Sequence, residues 1–310
     1  AEKLEIIVVS DASTDRTDDI VKSFSERGVR LLRQEIRQGK TAALNLAVSE
    51  AKGEIIVFSD SNSIYSNNAL KELVSNFSDG SVGYVTGKMS YVNKDGSTTG
   101  DGCTAYMSYE NFLRRLETSI GSVVGVDGGI DAIRRGLFSS MRPDQLPDFI
   151  LPLKVIEQGY RVVYDPSVLL NEDSLSAPAD EYRMRVRVAL RALHALKDMK
   201  HLLSPSKYGI FAWQLLSHKV LRYGIFFFLI GMYLFNLLII ADSRFYLLTF
   251  VIQNTLYFAA FMGVFLESKK INIRIFYIIF YFCLINIASA HAFWKFLNNE
   301  KQVTWAPRKG

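Results

Sequence analysis

Short runs of β-branched residues alternate with amphipathic stretches over the first half of the chain and a little beyond, and long apolar runs then replace them. Leu4–Ser10 reads as a strand, followed by the turn Asp11-Ala12-Ser13-Thr14-Asp15, whose Ser13, Thr14 and Asp15 are good N-cap types for a helix to about Arg27. Val29–Arg33 is a second strand, and Gly39-Lys40-Thr41 opens a helix through Ala51. Glu54–Phe58 then runs into Ser59-Asp60-Ser61-Asn62 and has the length and β-branched content of a strand buried on both faces of a parallel sheet. Asn67–Phe77 puts Leu70, Leu73, Val74 and Phe77 on one helical face. Val82–Val92 is strand-like with Asn93-Lys94-Asp95-Gly96 as its turn, and Tyr106–Ile120 is a helix. A glycine-rich passage from Gly121 to Ile130 follows, then a helix over Asp148–Gln158 stopped by Gly159, and a strand at Arg161–Tyr164. Such alternation predicts an α/β domain with a mostly parallel sheet and flanking helices.

Beyond Pro205 the pattern changes. Val220–Ala241, Phe245–Leu266 and Ile275–Phe293 each approach the ~20 apolar residues that cross a bilayer, and three in succession are rare in water-soluble folds. Arg222, near the start of the first, can snorkel to the interface. Ahead of them Arg183, Arg187 and Arg191 recur every four residues beside Val186, Leu190 and Leu193, as on a helix lying at a membrane surface. The expected division is a catalytic-type domain over 1–180, interfacial helices over 181–219, transmembrane helices over 220–297 and a tail over 298–310. The basic joint Glu267–Arg274 belongs on the cytoplasmic side with the soluble domain, at the inner cell membrane. The tail from Lys295 is basic too, so with three spans either the last segment does not cross fully or the charge rule fails here.

Charge and cysteine content narrow the chemistry. The net charge of +5 over 310 residues is modest and sits partly just before the membrane segments, favouring anionic head groups or a phosphorylated ligand over nucleic acid. Cys103 and Cys283 are too far apart in sequence to suggest a disulfide framework or a metal motif. His194, His201, His218 and His291 lack partners at ligand spacing. Gly39-Lys40-Thr41 resembles the end of a P-loop, but Gln34 stands where that loop needs glycine; Gly125–Gly129 lacks the spacing of a dinucleotide fingerprint.

Asp11, Asp60 and Asp148 fall where strands end or helices begin, and ligands of open α/β sheets lie beyond the carboxyl ends of the strands. Each alone is equally a helix cap or a surface ion pair. Jointly, with Lys40 and the arginines of 183–191, they form the set needed to expel a nucleoside diphosphate from a sugar: a carboxylate near base and ribose, cations on the diphosphate and a general base for the acceptor.

On these residues the sequence resembles the family 2 glycosyltransferases of the GT-A fold, in the membrane-embedded branch of cellulose, hyaluronan and poly-N-acetylglucosamine synthases. Ile6–Asp15 is similar to the strand and Asp-Gly-Ser-Thr-Asp turn of that family, and Gly39-Lys40 through Asn45 to its Gly-Lys-x-x-Ala-Leu-Asn. The resemblance implies that Asp11 contacts the base and that Lys40 lies near the nucleotide. Asp60-Ser61-Asn62 takes the place of Asp-x-Asp, so Asp60 and Asn62 would hold the ribose and Asp60 a Mg²⁺ or Mn²⁺, with the Asn62 amide a weaker ligand than a carboxylate. Gly128 and Gly129 would line the acceptor side of the sugar, and Pro147-Asp148 stands at the acidic pair whose second member, here Asp148, is the base. Met184–Val188 falls at Gln-x-x-Arg-Trp, keeping Arg187 for the diphosphate but replacing the tryptophan that packs on a growing polymer. The strand that opens the family's fold is absent, so an N-terminal truncation is expected.

The implied activity is inverting transfer of a sugar from a nucleotide sugar, UDP being the expected carrier, to a glycan hydroxyl in cell-surface or exopolysaccharide synthesis. The partners are then the donor, a glycan or lipid acceptor and membrane lipids. Transfer to a polyprenyl-phosphate or other lipid is the alternative within the class. A nucleotide-sensing membrane scaffold with a degenerate site is the alternative outside it.

Overall fold

The structure is a computed structural model that describes residues 4–92, 98–173, 178–269 and 273–304. The turn expected at 93–96 and part of the basic joint, 270–272, lie outside the described residues.

β1 (Ile6–Asp11) pairs in parallel with β2 (Val29–Gln34), joined by α1 (Thr17–Lys22) and a 3₁₀ turn at Ser25–Arg27. α2 (Lys40–Glu50) follows, then β3 (Ile55–Ser59), the two-residue β4 (Ile64–Tyr65) and α3 (Ala69–Ser75). β5 (Val82–Val92) leads to α4 (Thr98–Ile120), β6 (Ile130–Arg134), α5 (Pro147–Glu157) and the long β7 (Arg161–Asp173). Leu73 and Phe77 are buried as their spacing predicts, whereas Leu70 and Val74 stay exposed.

The second sheet has five strands in the order β3-β6-β5-β7-β4. Only its β5–β7 pair is parallel; β3–β6, β5–β6 and β4–β7 are antiparallel. The sheet is therefore mixed, which corrects the mostly parallel arrangement expected from the sequence, and β3 is an edge strand of this sheet with one fully buried residue, Phe58, not one buried on both faces. The physical cause lies in the glycine-rich passage. Val123 donates to the Val162 carbonyl at one end of the sheet (2.9 Å), while Ile130 pairs with Ser59 at the other. The passage thus crosses the sheet in extended form and enters β6 from the end opposite to the one a returning helix would reach.

α5 packs beneath the sheet with Ile150, Leu151, Leu153 and Val155 at 1% exposure or less, in one apolar cluster with Tyr84, Val123, Val124 and Ile133. Pro at the first helical position suits the start of α5, since its missing N–H is one the first turn leaves unbonded.

α6 (Pro178–Asp198) follows, then a 3₁₀ turn at Lys200–Leu203, α7 (Pro205–Tyr208), α8 (Ile210–Leu215) and a π-helical turn at Leu216–Leu221. α9 (Ile225–Ile239), α10 (Arg244–Ser268) and α11 (Arg274–Leu297) complete the chain. The apolar stripe of α6 does not face lipid: Val186, Ala189 and Leu190 pack on Ala288 and Ala292 of α11. Arg191 is buried, while Arg183 is exposed beside Asp180.

Among the described residues two helices, over Arg244–Leu266 and Ile275–Leu297, are long and apolar enough to cross a membrane. Residues such as Phe235 (68% exposed) and Leu238 (78%) on α9 show apolar surface that only lipid or another apolar partner covers. The first of the three expected spans, Val220–Ala241, begins at a 61° bend between Ile210–Leu221 and Ile225–Ile239, which together are long and apolar enough to cross. At this bend Lys219 and Arg222 both pair with Glu110 of α4. After α11 the chain returns to the α/β domain, where Lys301 Nζ meets Asp144 at 2.7 Å. Both ends of the apolar unit therefore lie against that domain, and by length and composition the described helices allow two crossings, or three if the bent pair forms one span.

Candidate functional site

Three elements bring the central side chains together. Lys40 is the first residue of α2, Asp60 follows the last residue of β3, and Asp148 is the second residue of α5. Lys40 Nζ lies 2.6 Å from Asp60 Oδ1 and 3.6 Å from Asp148 Oδ1, in a cleft that leaves these side chains 24–36% exposed. An N-terminal helical turn favours an acid at Asp148.

Asp11 sits at the end of β1 and accepts the Gln38 and Gly39 amides at 2.7 and 2.8 Å, fixing the loop ahead of Lys40. Gly39 has a positive φ (+87°), and a Cβ there would come 2.9 Å from the Val303 carbonyl of the returning tail. Asn62 is exposed on the turn after Asp60. Gly128 and Gly129 lie at the entry to β6. At Gly128 φ is +82° and a Cβ would overlap the Asp148 carboxyl; at Gly129 it would crowd Leu170 (2.7 Å) and Met89 (2.9 Å). Arg187 is half-buried on α6, one turn before Arg191.

The electrostatics follow from this packing. Burial raises the Asp148 carboxyl above its ordinary range; Lys40 opposes that rise and Asp60 adds to it. Burial alone would lower the Lys40 ammonium, but Asp148 and Asp60 outweigh it and hold Lys40 above the usual lysine range.

Sequence reasoning missed one neighbour of this group, Asp131, and named a second, Arg191, only as a member of an arginine series. Asp131 is 1% exposed on β6 opposite Thr86 of β5, and its charge acts on Lys40 and Asp148. Burial pushes it up to about 7, and the charges of Asp148 and Asp127 push the same way. Its signal was an acid inside an otherwise apolar strand, Ile130-Asp131-Ala132-Ile133. Arg191 reaches from α6 to the Thr41 hydroxyl (3.0 Å) and to the carbonyls of Pro143 (3.4 Å), Asp144 (3.3 Å) and Gln145. It thus ties α2 to the segment that opens α5. Burial lowers its guanidinium; Asp148 opposes this and Arg187 adds to it.

For a divalent cation the donor set is thin. Among the described residues no three His, Cys, Asp or Glu side chains group as a metal cage, and Asp60 shares its carboxylate with Lys40. One carboxylate fits an ion that completes its shell on substrate phosphates, as Mg²⁺ does, and not a protein-only site.

Residues 1–141, a little under half of the chain, match the sequence model of glycosyl transferase family 2, and the membrane-length helices lie beyond that match. Among curated proteins, glycosyltransferase GlyG of Streptococcus pneumoniae is 31% identical over 122 residues, 37% of this chain and 40% of that protein. Poly-beta-1,6-N-acetyl-D-glucosamine synthase of Staphylococcus aureus is 27% identical over 172 residues, 53% of this chain and 42% of the synthase. The chain spans about two fifths of the length of these relatives. Among solved structures, mannosyltransferase PcManGT from Pyrobaculum calidifontis, in complex with GDP-Man and Mn²⁺, matches with a TM-score of 0.63 at 21% identity, covering 96% of this chain and 79% of that one. That likeness shows the fold.

Gly128→Ala is a sharp probe of the cleft. A left-handed conformation costs a non-glycine residue roughly 1–2 kcal/mol, and the methyl also displaces Asp148. Activity is expected to fall about 10²-fold, as a misplacement of around 1 Å can cause, with nucleotide binding retained in a calorimetric titration.

Proposed function

We propose that this chain transfers a sugar, with inversion, from a nucleotide sugar to an acceptor hydroxyl presented at the membrane surface, in synthesis of a cell-surface glycan. UDP is the proposed nucleotide carrier, and residues 1–180 form the proposed catalytic unit on the cytoplasmic side. The observation that carries the reading is the meeting of Lys40, Asp60 and Asp148 from three distant parts of the chain in one cleft.

In this mechanism the Asp148 carboxylate accepts the proton of the acceptor hydroxyl. The freed oxygen attacks the anomeric carbon as the bond to the diphosphate breaks on the opposite face. Lys40 offsets the negative charge that develops on the departing diphosphate, with Arg187 in the same role from α6. Asp60 and Asn62 hold the ribose. A Mg²⁺ or Mn²⁺ arriving with the donor would take Asp60 as its protein ligand and supply further positive charge to the diphosphate. Asp11 frames the base: each carboxylate oxygen has two lone pairs, so a nucleobase N–H can share it with the Gln38 and Gly39 amides. Gly128 and Gly129 leave room on the acceptor side of the sugar. The poly-N-acetylglucosamine synthase relative supports a glycan acceptor; a lipid-borne acceptor is the second reading, favoured by the membrane-length helices beside the cleft.

The test measures nucleotide release from membranes containing the full-length protein, given a panel of UDP- and GDP-sugars. Release with one donor, dependent on acceptor, is expected. Nucleotide binding without release for every donor would leave the sensing scaffold as the better account. Sugar recovered in organic solvent, not in water, would select the lipid acceptor.

A further inference from the structure

Beneath Asp148 lies a buried lattice of charges that the proposed reaction does not touch. α4 contributes Glu110, Arg114 and Glu117, which share one helix face and are 2%, 3% and 7% exposed. The bend before α9 contributes His218, Lys219 and Arg222, and the glycine-rich passage contributes Asp127. Buried charges persist only when they are compensated, and here each faces an ionisable partner within 3.8 Å. Glu110 faces Arg114 (3.6 Å), Lys219 (3.8 Å), His218 Nε2 (3.4 Å) and Arg222. Glu117 meets His218 Nδ1 at 2.6 Å.

The lattice grips the passage at three successive places. Glu117 accepts the Val124 amide (3.3 Å), Arg114 Nε donates to the Gly125 carbonyl (3.2 Å), and Arg114 Nη1 pairs with Asp127 Oδ2 (2.5 Å). A carbon added at Gly125 would meet Lys219 Cε at 2.9 Å, so the bend presses on the passage from below. The next residue after Asp127 is Gly128, whose backbone lies against the Asp148 carboxyl so closely that no side-chain carbon fits between them.

We propose that Arg114 and Asp127 are positioning residues for Asp148: their ion pair, fastened through Glu110 to the start of the membrane helices, sets the height of Gly128 and hence the place of the carboxylate. The inference rests on the reading of Asp148 as the base. Neither residue touches substrate. Their effect passes through Gly128, because a close-packed backbone leaves the carboxylate one place to stand while the passage is held.

Asp127→Asn keeps the shape and removes the charge that holds Arg114. Full-length protein in membrane vesicles is assayed, with sites counted by nucleotide binding. Turnover per binding site is expected to fall about 10²-fold, the scale of a misplacement near 1 Å, while the donor KM stays within about two-fold. In an Asp148→Asn background the same change should lower residual turnover no further, because the two act through one group. Arg114→Lys, which keeps the charge but loses the forked contacts to Gly125 and Asp127, should show the same pattern and carries the test where Asp127→Asn does not accumulate. Wild-type turnover per site, donor binding lost in step with turnover, or a further loss in the double variant would each overturn the proposal. Full turnover by Asp148→Asn alone would instead sink the assignment of the base, whatever Asp127 does.

Discussion

Asp148→Asn is expected to lower sugar transfer by roughly 10²–10⁴-fold, the usual contribution of a positioned general base, while nucleotide affinity stays near that of the wild type. The amide keeps the shape and the place at the start of α5 but cannot take a proton from an acceptor hydroxyl. It also removes one of the two carboxylates facing Lys40, yet leaves Asp60 at 2.6 Å to hold that lysine. Single-turnover transfer and a separate nucleotide titration distinguish the two effects. The wild-type pH profile bears on the same group. A base works only when deprotonated, so the rate falls as pH drops through its pKa. Burial raises that pKa, so the acidic limb should lie above the ordinary aspartate value of about 3.9. A limb at or below that value, or a variant that turns over fully, would remove Asp148 from the role.

Local pattern made some of this architecture legible and left the rest hidden. β5 is read at its bounds from sequence because its residues Val82–Thr86 are all buried and its neighbours end in turn residues. Lys40 and Asp148 are placed at helix starts by Gly39 and Pro147, which act on backbone torsions within a residue or two. Nothing in the local pattern marks β6 as a strand. It has five residues, contains the buried Asp131 and pairs antiparallel on both sides, and pairing direction is decided by how the preceding passage crosses the sheet. β7 was read as four residues and has thirteen, because Asp165-Pro166 looks like a terminator but falls where its register with β5 shifts. The bend at the start of the first expected span follows the same rule. Composition shows a mostly apolar run of about the length that crosses a bilayer; it does not show that Lys219 and Arg222 find Glu110 more than a hundred positions away.

The cleft divides along the same line. Lys40, Asp60 and Asp148 carry local motifs, and the fold brings both carboxylates within 3.6 Å of the lysine ammonium. Arg191 carries no such mark apart from its place in an arginine series. It matters because α6 packs on α11 and turns this side chain inward to Thr41 and the carbonyls before α5. The membrane helices therefore bear on the site through packing, both at Arg191 and through the lattice around Glu110.

Lys40→Met should be the second most damaging change, with turnover down roughly 10²–10³-fold, the scale of losing one preorganised group that meets charge in the transition state. The lysine has two consequences that can be separated. Toward the donor it offsets the leaving diphosphate, so its loss slows the chemical step and weakens donor binding. Toward the protein it stands between Asp60 and Asp148 and lowers the Asp148 pKa against the effect of burial. Without it two carboxylates face each other uncompensated, and the proton is held more tightly, so the acidic limb of the pH profile should move to higher pH. Arginine at 40 keeps the charge but not the compact ammonium that reaches both oxygens, so it should restore the position of the limb better than it restores turnover. A methionine variant with an unmoved limb would mean that Lys40 serves the donor alone and does not tune the base.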